Sequence, residues 1–446
     1  MSENTPQQTV TLPIPAGLAD SAALLGGASE VLNDEQARQF ILDEVAKLDI
    51  DGKSVCMPIP DGTRSGPHAL MIQAAYDAIA QRAKSITILI ALGTHAAMEE
   101  PAIAKLLGVP SGGIEERFPK ATVLNHDWQN PEANVSLGTI EASEISRLTS
   151  GLLNDRDMDV QINKLVAEAD VNLVVGPVFP HEVVGFSGGN KYFFPGCSVH
   201  DVIDISHWVG ALITASEIIG SLGITPVRQL INSASALIPG EKLAVTYVST
   251  TGDDDQPVLH SVAVGTTESA WAANANVASE THIKWLDTPY QRIVSKVPEM
   301  YEDLWTGAKG VYKMEPVCAD GGEVIVYAPH ITEISEMHQG LADIGYHCIE
   351  YFTKQWDKFK EHPWGEIAHS THVRGLGTYD ADTGEEKLRI NVTLASQVSP
   401  EVCAAYNIGY ADPDSFDWDA LAADPDTLVV EHAGEILHRL ESQRAV

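Results

Sequence analysis

The segment PHEVVGFSGGNKYFFPGCSVHDVIDISH, residues 180–207, holds the densest chemistry in the chain. Ser187-Gly188-Gly189 is a turn in which glycine lets backbone approach a ligand closely. Lys191 follows at once, beside Tyr192, Phe193 and Phe194. An ammonium among aromatic rings loses hydration, which lowers its pKa and makes the amine a nucleophile able to anchor a cofactor. The spacing alone also allows a glycine turn followed by a surface lysine. Ser198 and Asp201 are spaced as a capping box for a helix that would carry His207. Further ionisable residues stand where apolar runs end: Asp61 and Arg64 after 53–60, His95 after 85–92, His126 after 121–124, and His181 after 171–175. One polar strand end is noise, whereas four suggest a shared site.

The elements that must position these residues alternate. Asn33 caps a helix over 33–48, with Gln36 three residues later and Ala37, Phe40, Ile41, Val45 and Leu48 on one face. Strands over 53–60, 85–92, 121–124 and 171–175 alternate with helices over 68–83 and 101–108. Pro101 starts the latter helix and Gly108 ends it. The first thirty residues read as an extended lead-in, 250–256 as a polar turn, and 264–284, rich in Ala, Thr, Ser and Asn, as an interdomain connection. A second pattern follows: a strand at 291–296, a helix around 300–314, a turn at Asp320-Gly-Gly322, a strand at 323–329, a helix at 334–345, a strand at 427–432 and a terminal helix. This predicts an α/β protein of two domains with mostly parallel sheets and an active-site cleft between them. Residues 1–283 would carry the cofactor and catalytic histidines, and 284–446 the substrate contacts, with the last segment able to pack back on the first domain. Parallel sheets bind ligands beyond their carboxyl ends.

Composition narrows the partners. The 446 residues are 44% hydrophobic and 20% charged, with net charge −34. Such a surface repels phosphate backbones and anionic membranes, so neither nucleic acid nor a membrane is an expected partner. Five cysteines without a CxxC pair read as reduced thiols of a cytoplasmic protein. MSENTPQQTV has no basic n-region, so no signal peptide is expected. An anionic substrate would need locally positive residues on this negative body. No sequence feature sets an oligomeric state.

With these motifs in view, the chain resembles the nickel-dependent lactate racemase family, whose signature is a PH…GFSGG-x-K stretch followed by a nickel-binding histidine. The resemblance spans about 53 to 330 and implies a nickel-pincer nucleotide, pyridinium-3-thioamide-5-thiocarboxylic acid mononucleotide, covalently joined to Lys191, with His207 as the nickel ligand. It places His181 and, through Gly93-Thr94-His95, His95 as the catalytic pair. Asp61-Gly-Thr-Arg64 resembles the family's Asp-His-Thr-Arg, with Gly62 departing from it. Asn125-His126-Asp127 also matches a family segment. Asp61, Ser187, Gly188, Gly189 and His126 are expected at the cofactor, and Arg64 and Lys309, the latter in LWTGAKG (304–310), on the substrate carboxylate. Trp305 and Thr306 stand where the lactate enzymes carry tyrosine and glutamine, and would line a pocket for a substrate other than lactate, such as a larger hydroxy acid or a sugar acid. The host's cofactor-building enzymes are implied partners.

The implied reaction inverts a small anionic 2-hydroxy acid by hydride transfer through a 2-keto acid. It needs an acid/base group on each face, for which imidazole is suited near neutrality. Imidazole also suits nickel. Competing readings fare worse. A nicotinamide-dependent hydroxy-acid dehydrogenase lacks its GxGxxG turn, and a zinc hydrolase lacks HExxH. A non-catalytic binder of the nucleotide or of a hydroxy acid remains the alternative of another class. His369 and His372 are spaced i,i+3, but no third metal ligand accompanies them in sequence.

Overall fold

The computed structural model describes residues 11–252 and 254–444. The N-terminal stretch read for a signal peptide, 1–10, lies outside the described residues. The fold is mixed α/β with mostly parallel sheets. The chain divides into two compact units. One comprises the chain through Phe179, Phe186–Ser206 and Leu222–Thr281; the other comprises Pro180–Gly185, His207–Ser221 and the chain from His282.

The first unit is built on seven strands: β1 (Ala23–Gly26), β2 (Ser54–Ile59), β3 (Ser85–Ile90), β4 (Ala121–Asn125), β5 (Val171–Pro177), β6 (Glu241–Thr251) and β7 (Pro257–Thr266). Their order is β1-β7-β6-β5-β2-β3-β4. Strands β6, β5, β2, β3 and β4 run parallel, while β7 and β1 are antiparallel additions. Strand β5 is buried at every position, as expected of a parallel strand covered on both faces. The helix Asp34–Val45 carries the expected Asn33–Gln36 capping box and buries Ala37, Ile41 and Val45. Two expectations fail here. The lead-in is not merely extended, since Ala23–Gly26 pairs with β7. The stretch 264–284 is no connection: β7 runs to Thr266 and Thr267–Thr281 is a largely buried helix. Its small residues let it lie close on the sheet, and they also erase the hydrophobic contrast that marks a helix in sequence.

The second unit has five parallel strands: β8 (Tyr290–Lys296), β9 (Cys318–Ala328), β10 (Asn391–Ser396), β11 (Gly409–Ala411) and β12 (Thr427–Val430), in the order β11-β10-β9-β8-β12. Asp320-Gly-Gly322 is not a separate turn; it lies inside β9 where the β8 pairing shifts register, with Gly321 at φ +77°. The helix expected around 300–314 is two short turns, Leu304–Gly307 and Lys309–Tyr312, and of 334–345 only Leu341–Ile344 is helical. The terminal helix is corrected to a strand, Leu437–Leu440, paired in parallel with Ile283–Leu286. Periodicity cannot separate strand from helix in so short an apolar run, and pairing decides. The described cysteines are all free and buried. Among the described residues no helix is long and apolar enough to cross a membrane.

Candidate active site

In the first unit, chemistry gathers at the carboxyl ends of β2 and β3. Asp61 follows β2 and His95 follows β3; His95 Nδ1 lies 2.5 Å from Asp61 Oδ2. The other carboxylate oxygen, Oδ1, accepts the Thr63 backbone N–H at 3.0 Å and the Thr63 hydroxyl at 2.6 Å. Arg64 Nη1 in turn donates to that hydroxyl at 2.5 Å and to the Thr63 carbonyl at 2.9 Å. Burial opposes ionisation of Asp61, yet His95, Arg64 and Thr63 together hold its carboxyl far below the ordinary range. An ionised carboxylate only accepts, so the proton between the two groups sits on His95 Nδ1. Arg64 stands 5.4 Å over the Phe179 ring, and its carbonyl meets His68 Nε2 at 2.7 Å. His68 binds the Tyr247 hydroxyl through Nδ1, and burial keeps it neutral. This brace was not legible in sequence.

The lysine turn belongs to the same unit. Lys191 lies half-buried in the turn Gly189–Tyr192. The Gly93 N–H donates to the Gly196 carbonyl at 2.9 Å, which ties the His95 turn to this loop. Gly188 and Gly189 adopt φ +86° and +59°. A Cβ on Gly189 would sit 2.6 Å from the Thr267 carbonyl and 2.8 Å from Trp271 Cβ, so its absence serves packing against that helix as well as turn geometry. Ser187 Oγ accepts the Phe179 N–H at 3.1 Å. The loop is clamped by a residue the sequence did not announce. Arg228 is buried, stacks 3.9 Å over Trp271 and donates to the Phe186 carbonyl at 2.5 Å. Asn190 is held by Asn232, Glu268 and Thr267.

His126, expected at the cofactor, is buried with both ring nitrogens spent inside the protein, on the Ser198 carbonyl at 2.9 Å and Asn163 Nδ2 at 3.1 Å. Burial, opposed by Ser198, holds it neutral. Asp201 pairs with Arg156 at 2.5 Å, so its carboxylate serves that contact.

The second unit gathers the remaining candidates: His181, His207, Trp305, Thr306 and Lys309. His181 is buried; its Nδ1 accepts the Val183 N–H at 3.2 Å and lies 3.6 Å from Glu182 Oε2. His207 is half-buried on the helix His200–Ile213, whose next residue, Trp208, stacks on Trp356 at 4.9 Å. Lys309, beyond the carboxyl end of β8, is buried rather than exposed. Its Nζ donates to the Thr306 carbonyl at 3.4 Å and lies 4.9 Å over the Tyr301 ring. Lys313, one helical turn on, is fully buried and donates to the Pro180 carbonyl at 3.0 Å. Burial opposes the charge of Glu182, but His181, Lys313 and Lys309 hold its carboxyl well below the usual range. Glu182 and Lys313 were missed in sequence, although Glu182 adjoins a singled-out histidine.

Trp305 and Thr306 take unexpected places. The Trp305 indole is sandwiched between His338, at 3.7 Å and 20°, and His369, at 4.0 Å and 11°. Both faces of the ring are therefore covered. The Thr306 hydroxyl is turned to Asp303 Oδ1 at 2.9 Å, within a helix cap that also takes the Thr306 N–H. Burial drives His369 down to about 3 and His372 to about 4, so both are neutral. Among the described residues no three His, Cys, Asp or Glu side chains gather as a metal-ligand set.

These sites can be set beside known proteins. The family model for the lactate racemase N-terminal domain matches residues 39–218. A lactate racemase from Thermoanaerobacterium thermosaccharolyticum is 24% identical over 294 residues, 65% of this chain and 62% of that protein. Residues 39–218 thus belong to the lactate racemase N-terminal domain family. The alignment with that curated relative thus spans less than two thirds of the relative's length. The fold agrees with the lactate racemase apoprotein of the same organism, with TM-score 0.68 at 16% identity, covering 97% of this chain and all of that one. A crystal structure of a protein from Thermotoga maritima is more similar still: TM-score 0.85 at 30% identity, covering 94% of this chain and 100% of that one. The match to the lactate racemase N-terminal model runs from the first helix through Ile218, and so includes Asp61, His95, His181, Lys191 and His207. Lys309 and the Trp305 stack lie beyond it.

Proposed function

We propose that this chain is a racemase or epimerase acting on a 2-hydroxy acid, working with a nickel-pincer nucleotide joined to Lys191. The observation that carries the reading is the pairing of His95 Nδ1 with the ionised Asp61, whose other oxygen accepts the Thr63 hydroxyl that Arg64 also binds.

The residues fit the cofactor in their donor chemistry. Lys191 offers an amine on a turn whose backbone is clamped by Arg228, and His207 offers one half-exposed imidazole. A single protein nitrogen would be enough where the bound nucleotide supplies the remaining donors. When bound, the cofactor accepts the C2 hydride and returns it. The chain's own residues do the rest. His95 takes the hydroxyl proton of one configuration as the C2 hydride departs, which leaves a planar 2-keto acid. His181 would give a proton to the carbonyl oxygen of that keto acid, and the reverse direction exchanges the two roles. Arg64 and Lys309 hold the carboxylate, Arg64 with a planar fork of donors. Both are cations set in a protein of net charge −34. The covered Trp305 and the capped Thr306, in place of the tyrosine and glutamine of the lactate enzymes, favour a substrate other than lactate.

The test is protein produced together with the cofactor-building enzymes, incubated with a panel of 2-hydroxy acids and sugar acids without added nicotinamide nucleotide, and read by chiral analysis. Inversion at C2 is expected, and it should vanish in His95→Ala and in His181→Ala. Lys191→Ala should remove the nucleotide's mass from the intact protein, and His207→Ala should lower nickel content. Stoichiometric binding of hydroxy acid with no inversion across the panel would replace the reading with that of a binding protein.

A further inference from the structure

His95 and His181 are held differently at Nδ1. Asp61 accepts a hydrogen bond from the Nδ1–H of His95. In His181 the same nitrogen accepts the Val183 N–H at 3.2 Å, with Glu182 Oε2 waiting at 3.6 Å. An imidazole nitrogen cannot accept from Val183 and carry a proton at once. Whenever His181 becomes an imidazolium, or a neutral base at Nε2, its Nδ1–H must leave Val183 and find another acceptor.

We propose that Glu182 is that acceptor: a positioning residue that sets the protonation state of His181, with Lys313 and Lys309 competing for the same carboxylate and so tuning it. The inference rests on the acid/base role given to His181 above.

The geometry supplies each part. The Glu182 side chain is only 12% exposed, so its charge is weakly screened. Lys313 donates to the carbonyl of Pro180, the residue before His181, and so holds the start of the segment while Val183 holds the ring. The groups facing Glu182 are His181, Lys313, Lys309, Tyr312, His369 and His372. Burial keeps Tyr312 protonated and both of those histidines neutral, so the charges that act on the carboxylate near neutrality are the two lysines, joined by His181 when its ring is protonated. At rest, then, the histidines are not equivalent. His95 has its Nδ1 proton held by Asp61. His181 carries its proton on Nε2 and is readied by the Val183-to-Glu182 exchange.

The experiment uses the full chain without cofactor, labelled with 15N in histidine. Ring-nitrogen chemical shifts across pH give the tautomer and protonation midpoint of each histidine. Glu182→Gln is expected to lower the His181 midpoint by about one pH unit, since an opposite charge at this range favours the imidazolium by that order. Lys313→Met, which removes the competitor while keeping volume, should raise it. Both should leave the His95 midpoint in place. An unmoved His181 midpoint in Glu182→Gln, or shifts of the same sign in the two variants, overturns the proposal. Should Glu182→Gln not fold, Lys313→Met decides: an upward shift supports the proposal and any other result overturns it. The titration needs no turnover. If it fails while His181→Ala is inactive, Glu182 is dismissed and the role of His181 stands. If His181→Ala keeps full activity, the role itself is wrong.

Discussion

The carboxyl ends of the two sheets solve the same problem in opposite ways. After β2 and β3, charge is closed locally: Arg64, Thr63, Asp61 and His95 form one chain of hydrogen bonds within a few residues of their strands. After β8, two buried lysines, Lys309 and Lys313, act on the carboxylate of Glu182. A buried ammonium is costly unless something compensates it. The first arrangement keeps Asp61 ionised through groups at the neighbouring strand ends, and the second keeps Glu182 ionised through His181 beside it and lysines distant in sequence.

The largest expected effect breaks the first arrangement. Asp61→Asn leaves His95 without its proton acceptor and should cut kcat by about 10²- to 10⁴-fold with the circular dichroism spectrum unchanged. Steady-state rates at wild-type level would show that the His95–Asp61 pair is only structural. Next comes the second arrangement. Lys309→Met removes a cation expected to meet the substrate carboxylate and should lower kcat/KM by about 10- to 100-fold, the size of a charged hydrogen bond. An unaltered kcat/KM with the preferred substrate would move the carboxylate site to Arg64 alone. A smaller, global effect follows from the neutral histidines of the second unit. In the unfolded chain His369 and His372 protonate below about 6.5, but in the folded chain only below about 3 and 4. The unfolded state thus binds more protons in that window. Stability is complete above pH 6.5 and is lost as pH falls toward 4, by about 1.4 kcal/mol per pH unit for each histidine. Denaturant melts at several pH values should show this slope, and His372→Gln should flatten it. A slope identical in that variant would mean that His372 is not buried neutral. The smallest effect concerns the stacked indole. Trp305→Phe keeps a ring between His338 and His369 and should cost about 0.5–1.5 kcal/mol in an equilibrium melt. A loss of several kcal/mol would make the stack a keystone of the unit.

Much of the parallel framework was legible because apolar, β-branched runs alternated with capped helices, and Asn33, Pro101 and the strand-ending histidines marked the boundaries. What escaped had physical reasons. The helix Thr267–Thr281 is made of small residues and has little amphipathic contrast; Leu437–Leu440 is a strand only because Ile283–Leu286 pairs with it. Of the four strand-end positions, His95 and Asp61 do meet, whereas His126 is absorbed by Ser198 and Asn163. Burial of Lys309 and Lys313 could not be read from spacing, since exposed lysines are common on helices, and neither could the role of Arg228, whose partners are distant backbone carbonyls.

The way the chain is shared between the two units bears on any attempt to dissect it. The second unit takes Pro180–Gly185 and His207–Ser221 from within the span that otherwise builds the first, before the chain passes to it for good at His282. A gene cut at that point would not release two self-sufficient halves. The C-terminal fragment would lack His181, Glu182 and His207, together with Trp208, whose ring stacks on Trp356. Lys313 would be left with neither Pro180 nor Glu182 as a partner. Modular swapping between relatives would have to respect those two short excursions, because His181, Glu182 and His207 are encoded within the span that otherwise builds the first unit.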